Sequence, residues 1–334
     1  MDPSSQRLSP RSCSIAILYN VVTQWDRDDI NSVLEGVTSI QETLESLGHR
    51  PVPVPVNDGV PMVVERLGRL APDLVFNLCE GYQESSAGEY CVAGLLELLG
   101  IPYTGSGPLA LALALEKPLA KRLFAAAGIP TPAFAVYTAS STAPPLSYPL
   151  ILKLASEDAS LGITRENVVT DEPSFFRRLN ELIAEYGKDV MAEEFIEGRE
   201  FIVAMLDGRP IALEEIEFDV EPKILCHRAK WASGSPEDLG TRAVFTPAVT
   251  DRQREEMFEL AGRVWDLIGI RDYGRVDFRM DARGRLYVLE ANPNPDITPK
   301  AGYRFSLEAA QIAFPDFVAR LIQNALQRGS LSPR

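Results

Sequence analysis

Apolar and polar positions along the chain switch between two periods, one of strand type and one of helix type. Ser14–Tyr19 (SIAILY) is a short apolar strand, and Ile30–Leu47 carries apolar residues at helical spacing up to Gly48, a natural stop. Pro51–Val56 predicts a second strand, placed at a sheet edge by its prolines. A helix over Pro61–Leu70, a third strand over Asp73–Leu78 (DLVFNL) and a helix around Glu89–Leu99 follow. After the turn Tyr103–Gly107, one long Ala/Leu helix is expected from Pro108 to Ala127. Strands alternating with helices predict a parallel sheet with helices packed on it. The segment Gly128-Ile129-Pro130-Thr131-Pro132 predicts a hinge between domains. Beyond it, residues 133–200 mix short strands with one helix near Glu172–Tyr186. Strands at 200–218, a long polar loop at 219–242, a helix over Arg252–Leu267 and a terminal helix over Ser306–Leu326 complete the pattern.

The run Gly274–Thr298, GRVDFRMDARGRLYVLEANPNPDIT, predicts a β-hairpin with Arg283-Gly284 at its tip. That tip places Asp277 directly opposite Glu290, and Arg275 opposite Asn292 on the same face. Two carboxylates and a carboxamide converging there suit a hard cation such as Mg²⁺, and Arg275 would meet the anion held by the metal. The plain alternative is an exposed hairpin face with cross-strand charge pairs.

Composition narrows the classes. With 334 residues, 46% of them hydrophobic and 24% charged, the chain is an ordinary globular one of two or three domains. A net charge of −14 with no basic block argues against nucleic acid as a partner. No apolar run reaches transmembrane length. The polar start MDPSSQRLSPRS lacks a signal-peptide core, so residues 1–12 are expected to be a disordered lead-in and 329–334 a frayed tail. Four scattered cysteines without CxxC spacing predict reduced thiols in a cytoplasmic protein. Two histidines leave little room for a histidine triad or a zinc site.

Four further features are ordinary one by one. Lys153 ends a strand and is followed by a small-residue loop, Glu157–Gly162, whose backbone N–H groups could wrap phosphates, Ser160 among them. As a bare pattern such a loop is more often a turn. The strand Met191–Ile196 (MAEEFI), with Glu193, Phe195 and Ile196, and the acid Glu200 beyond it, would suit an adenine ring and a ribose diol; it would equally make a solvated edge strand. Lys230 in the polar loop and Lys117 at a helix start could each be plain surface charges.

In their order along the chain these features resemble the ATP-grasp superfamily, and more closely its D-alanine–D-alanine ligase-related branch. The resemblance covers most of the chain, including Leu95–Gly107 (LLELLGIPYTGSG), the helix with Lys117, and GRVDF…YVLEANPNPDIT. It implies a fold of α/β and α+β type, with a Rossmann-like parallel-sheet domain at 13–128. Two ATP-grasp subdomains, at 129–198 and 199–328, would enclose ATP. It also implies ATP and Mg²⁺ (or Mn²⁺) as cofactors, small amino-acid or peptide-like substrates, no membrane partner, and a homodimer through the first domain. Lys117 and Lys153 match nucleotide-phosphate lysines, and Lys230 a loop lysine that reaches the terminal phosphate. Glu193, Phe195, Ile196 and Glu200 match the adenine and ribose segment. Asp277, Glu290 and Asn292 match the ligands of two Mg²⁺ ions, and Arg275 an arginine that stabilises an oxyanion. The implied activity is carboxylate–amine ligation through an acylphosphate.

The amino-acid pocket departs from the family pattern. Tyr19–Trp25 lacks the expected loop glutamate, Ala159 stands for a supporting serine, and Trp231 for a tyrosine. Ala301 replaces a serine, Asp296 a glycine, and Cys79-Glu80 a His-Gly pair. Deleting such partners removes the recognition they give. The expectation is therefore a retained ATP and metal site with changed amino-acid specificity. Glu80 and Asp296 are candidates to receive an ammonium, Lys300 a carboxylate, and Trp231 is a further pocket candidate. Authentic D-alanine–D-alanine ligation is one alternative. An inactive nucleotide-binding regulator is another, and the intact set Lys153, Arg275, Asp277, Glu290 and Asn292 argues against it.

Overall fold

A computed structural model describes residues 12–21, 27–83, 85–139, 141, 146–157, 161–226, 228 and 234–331. Ser160, Lys230 and Trp231 lie outside the described residues, as do most of the expected lead-in and half of the tail. The chain divides into two compact units, Met1–Gly105 with Asp296–Arg334, and Ser106–Pro295.

The first unit begins β1 (Ser14–Tyr19), α1 (Arg27–Ser46), β2 (Arg50–Pro55), α2 (Val60–Leu70), β3 (Leu74–Asn77) and α3 (Gly88–Leu98). Its sheet is parallel, in the order β2-β1-β3. The central β1 is an apolar run because both its faces are covered, and Ile15 to Leu18 are buried. The prolines of β2 fit the edge position. Arg50 and Val56 donate their N–H groups to Cys13 and Tyr19, so the alternate positions 51, 53 and 55 face away from the ladder. Proline there forfeits no bond and blunts the edge.

The second unit carries α4 (Pro108–Leu115), α5 (Lys117–Ala126), β4 (Phe134–Tyr137), β5 (Leu150–Leu154), β6 (Val168–Val169), α6 (Glu172–Tyr186) and β7 (Val190–Glu194). It continues with β8 (Gly198–Leu206), β9 (Arg209–Phe218), α7 (Pro236–Leu239), β10 (Thr241–Val244), α8 (Asp251–Ile268), β11 (Tyr273–Asp281) and β12 (Leu286–Asn292). Two antiparallel sheets result, β4-β7-β5-β6 and β10-β9-β8-β11-β12. On the larger sheet, Phe201, Val203, Val276, Phe278 and Val288 pack beneath Met257, Leu260, Val264 and Trp265 of α8. On the smaller, Leu150, Leu152, Leu154 and Val190 pack on Phe175, Leu179 and Leu182 of α6. Each sheet thus buries one face and leaves the alternate residues for chemistry.

The chain then returns to the first unit as α9 (Gly302–Ala309) and α10 (Phe314–Leu331). The expected segments 13–128 and 199–328 are therefore divided differently. The first unit stops at Gly105 and regains chain from Asp296, because α10 packs against α1 and β3. Arg328 fixes it further by donating to the Tyr103 carbonyl at 2.9 Å.

Two expected helices are each split. Pro118 cannot sit inside a helix, so the Pro108–Ala127 run breaks at Glu116 (ψ 76°) and restarts with Lys117 as its first residue. The terminal helix breaks at Gln311, which takes φ 56°. The hairpin tip also differs. Met280 pairs with Leu286, and Asp281 donates its N–H to Arg285, so the loop is Ala282 to Gly284, with Gly284 at φ 79°. That shifts the register by one residue, and a bulge that leaves Leu289 unpaired shifts it back. No helix among the described residues is long and apolar enough to cross a membrane.

Candidate active site

The polar face of the larger sheet is set by strand alternation. On β11 it holds Arg275, Asp277 and Arg279; across the ladders it holds Glu200 and Ile202 on β8, and Glu214 on β9. Asp277 stands directly opposite Glu290, and Arg275 opposite Asn292, as expected. Arg275 Nη2 lies 3.3 Å from Asp277 Oδ2. Gly198 is required where β8 begins: at φ 150°, a Cβ there would come 2.0 Å from the Met280 carbonyl oxygen.

On the smaller sheet, Ile151 and Lys153 pair with Glu193 and Met191 on the face away from α6. Between the two polar faces lies a cleft. Lys117, Lys153, Glu193, Phe195, Ile196, Glu200, Asp277 and Glu290 all line it, so eight predicted residues from six elements and one connecting turn are brought together. Arg275 and Asn292 form the next cross-strand pair along the hairpin. Ile151, Leu161, Ile163 and Ile224 give the cleft an apolar wall. Glu80, Asp296 and Lys300 belong to the first unit. Glu80 is exposed; its N–H donates to Asn20 Oδ1 at 2.9 Å. The Asp296 carboxylate accepts from both the N–H and the hydroxyl of Thr298 (2.8 Å each), so it is engaged in its own turn. Lys300 is exposed.

Charges in the cleft are paired. Glu193, 1% exposed, is ion-paired with two lysines: Lys153 bonds one carboxylate oxygen, and the Lys121 ammonium lies 2.8 Å from the other. Burial pushes the Glu193 carboxyl up, but the two ammonium groups hold it below its ordinary value. Burial pulls Lys153 down, and Glu193 with Glu290 more than offsets this. Arg279 Nη2 lies 2.8 Å from Glu200 Oε2. Its guanidinium also donates to the Gly198 and Lys223 carbonyls and stacks near Phe195, 5.4 Å from the ring centre.

Three functional candidates escaped the sequence reading. Lys121 lies one helical turn after Lys117, and that i, i+4 spacing was the signal. Arg279 continues the alternation of 275 and 277. Glu214 sits in an apolar strand on the Asp277 row, 5% exposed. Burial pushes its carboxyl up to about 7, with Asp277 and Glu200 adding to the shift and Arg275 opposing it.

The oxygen donors fit Mg²⁺ in a particular way. Among the described residues no group of three or more His, Cys, Asp or Glu side chains could hold a metal. Two carboxylates and the Asn292 carboxamide remain. The Asn292 Oδ1 accepts the Asn294 N–H at 2.9 Å and keeps a second lone pair. Mg²⁺ commonly takes one or two carboxylates and completes its shell with water and substrate phosphate oxygens. Bound here, it would screen the phosphate charge that a carboxylate nucleophile must approach.

Comparisons agree with this architecture. Solved structures sharing the fold include the D-alanine–D-alanine ligase of Bacillus anthracis complexed with ATP (TM-score 0.76, 21% identity, 96% of this chain and 99% of that one). The enzyme from Coxiella burnetii also aligns (TM-score 0.72, 19% identity, 96% and 95% covered). The fold is that of the ATP-grasp ligases, which form carbon–nitrogen bonds. A family model described as the D-ala D-ala ligase C-terminus matches residues 123–323. The D-alanine–D-alanine ligase of Moorella thermoacetica is 31% identical over 308 residues, 88% of this chain and 94% of its own. That of Geobacter sulfurreducens is 33% identical over 293 residues, 86% and 87%. The chain belongs to the D-alanine–D-alanine ligase family.

Proposed function

We propose that this protein joins D-alanine to D-alanine at the expense of ATP. One observation carries the proposal: relatives named for that reaction match the chain over nearly their whole length. They favour authentic ligation over the changed specificity expected from the pocket departures. In the proposed reaction ATP first phosphorylates the carboxylate of one amino acid. The amine of the second attacks the acylphosphate, and phosphate leaves. Lys117 and Lys153 meet the phosphates at the cleft, and Phe195 and Ile196 flank the base. Glu193 steadies Lys153, and Glu200 accepts from the ribose. Asp277, Glu290 and Asn292 hold Mg²⁺. Arg275, beside them, donates to the oxyanion that develops on the carbonyl, a role whose loss typically costs roughly 100- to 1,000-fold in rate. Ser160 and Lys230 keep the phosphate roles that the family resemblance gives them.

Changed amino-acid specificity is favoured by one local fact: Asp296, where the family pattern expects a glycine, spends its carboxylate on Thr298. Incubation with ATP, Mg²⁺ and D-alanine separates the two. Dipeptide formation supports D-alanine ligation. ADP release only with other amino acids supports changed specificity. Asp277→Asn and Glu290→Gln should each abolish turnover by weakening the metal site; full activity in either variant would sink the metal assignment.

A further inference from the structure

We propose that Lys121 is a positioning residue for the nucleotide: acting through Glu193, it holds the Lys153 ammonium out at the cleft. The proposal rests on the reading that ATP occupies this cleft. Lys121 is 1% exposed and does not line the cleft, so it cannot touch a ligand there. Lys153 does line it. The two lysines share one carboxylate, each taking a different oxygen.

That sharing fixes geometry. A carboxylate oxygen left without a partner in a buried setting is costly, so it recruits whatever donor is near. With Lys121 removed, the nearest cation is Lys153, which would turn inward to serve both oxygens of Glu193. With Lys121 in place, one oxygen is already taken, and Lys153 needs only its outer contact. The trio then carries one net positive charge, available to an anion at the cleft. A buried ion pair is weak evidence of stabilisation by itself, since an apolar substitute of similar volume often does as well. A role in orienting Lys153 gives the buried ammonium a use that stability does not.

Lys121 is itself fixed from behind. Its ammonium donates to the Thr131 hydroxyl at 2.9 Å, and that hydroxyl donates to the Val288 carbonyl at 2.8 Å. Val288 lies two residues before Glu290 on β12. An unbroken run of contacts therefore joins the metal-binding hairpin, the hinge segment, α5, β7 and β5. Burial lowers the Lys121 pKa, with Glu193 partly offsetting it, while Glu193 and Glu290 together leave Lys153 raised. The proton is thus held most firmly on the lysine that faces the cleft.

The test measures Mg²⁺–ATP binding by calorimetry on the full chain, alongside steady-state kinetics with D-alanine. Lys121→Met should weaken ATP binding by about tenfold or more, the scale for residues that orient a ligand-binding group. The KM for D-alanine should stay within about twofold, the scatter expected of sites that do not interact. In a Glu193→Gln background, Lys121→Met should add no further loss, because its route to Lys153 is already cut. That double variant also removes both buried charges together, so it remains informative if Lys121→Met alone fails to fold. A folded Lys121→Met protein with unchanged ATP affinity overturns the proposal if Lys153→Met binds ATP weakly. So does a further large loss in the Glu193→Gln background. If Lys153→Met itself leaves ATP affinity unchanged, the cleft assignment has failed instead.

Discussion

Glu214 places a pH-sensitive strain on the site face, and its size follows from burial. An ordinary glutamate titrates near 4.5, whereas Glu214 is pushed up to about 7. The groups facing it are Arg275 and Asp277 on β11 and Glu200 on β8. Below pH 4.5 the carboxyl is protonated in both the folded and the unfolded chain, and no penalty exists. As pH rises from 4.5 towards 7 the unfolded chain releases the proton while the folded chain keeps it, so stability falls. Above 7 the penalty is complete. A gap of about 2.5 pKa units at 1.36 kcal/mol each gives about 3 kcal/mol. Glu214→Gln removes the titration. The difference in unfolding free energy between variant and native chain should therefore grow by about 3 kcal/mol in the variant's favour over that window. Urea unfolding at a series of pH values, without nucleotide or divalent metal, reads this difference. Tryptophan fluorescence is a suitable probe, because Trp265 lies in the core beneath the same sheet. Parallel stability profiles for the two proteins would refute the placement of Glu214 as a buried, destabilised acid.

Two other outcomes are expected. Arg279→Met leaves the buried Glu200 carboxylate without its 2.8 Å partner and should cost about 3–5 kcal/mol, most of it recovered in Arg279→Met/Glu200→Gln; additive losses in a urea-melt double-mutant cycle would count against the pair. His49 accepts the Cys13 N–H on Nδ1 and is held below its ordinary pKa by burial, so its stabilising contribution is present above pH 6.5 and lost on acidification. His49→Gln should accordingly flatten the loss of stability below pH 6.5, and an unchanged acid limb would contradict this.

Much of the site was legible in sequence because strand alternation is a rigid rule. Once Arg275–Asn292 is seen as a hairpin, the facing of Asp277 and Glu290 follows from the period of two. The expected tip was nevertheless wrong by one residue, and only the bulge at Leu289 restored the register. A bulge has no firm signature in composition, so the agreement at the site owed something to compensation. The edge position of β2 was readable from Pro51, Pro53 and Pro55, since missing N–H groups on alternate residues admit few other placements. The break before Lys117 was readable too, in Pro118, but the strongly helical Ala/Leu composition on its N-terminal side masked it. The division into units was not readable, because the partner of α10 lies far away in sequence. Lys121 and Glu214 share a different reason. Their importance comes from burial, and a charged residue in sequence gives no sign that packing will enclose it.

Charge balance explains how so acidic a chain can offer a site to a nucleotide. The whole protein carries a net charge of −14, which would repel phosphates. Around the cleft the tally differs. Lys117, Lys121, Lys153, Lys188, Arg275 and Arg279 supply six cations, and Glu157, Glu193, Glu194, Glu200, Asp277 and Glu290 supply six acids, with Glu214 part-protonated near neutrality. Most of these charges are committed in pairs: Glu193 to two lysines, Glu200 to Arg279, Asp277 to Arg275. The site is therefore close to neutral and largely fixed before any ligand arrives, which limits the reorganisation that binding must drive. Under the proposed function, this near-neutrality explains the need for a metal. Two lysines at one end of the cleft cannot alone screen a polyphosphate and an incoming carboxylate. The hairpin acids at the other end would repel both unless a divalent cation converted them from a barrier into an anchor.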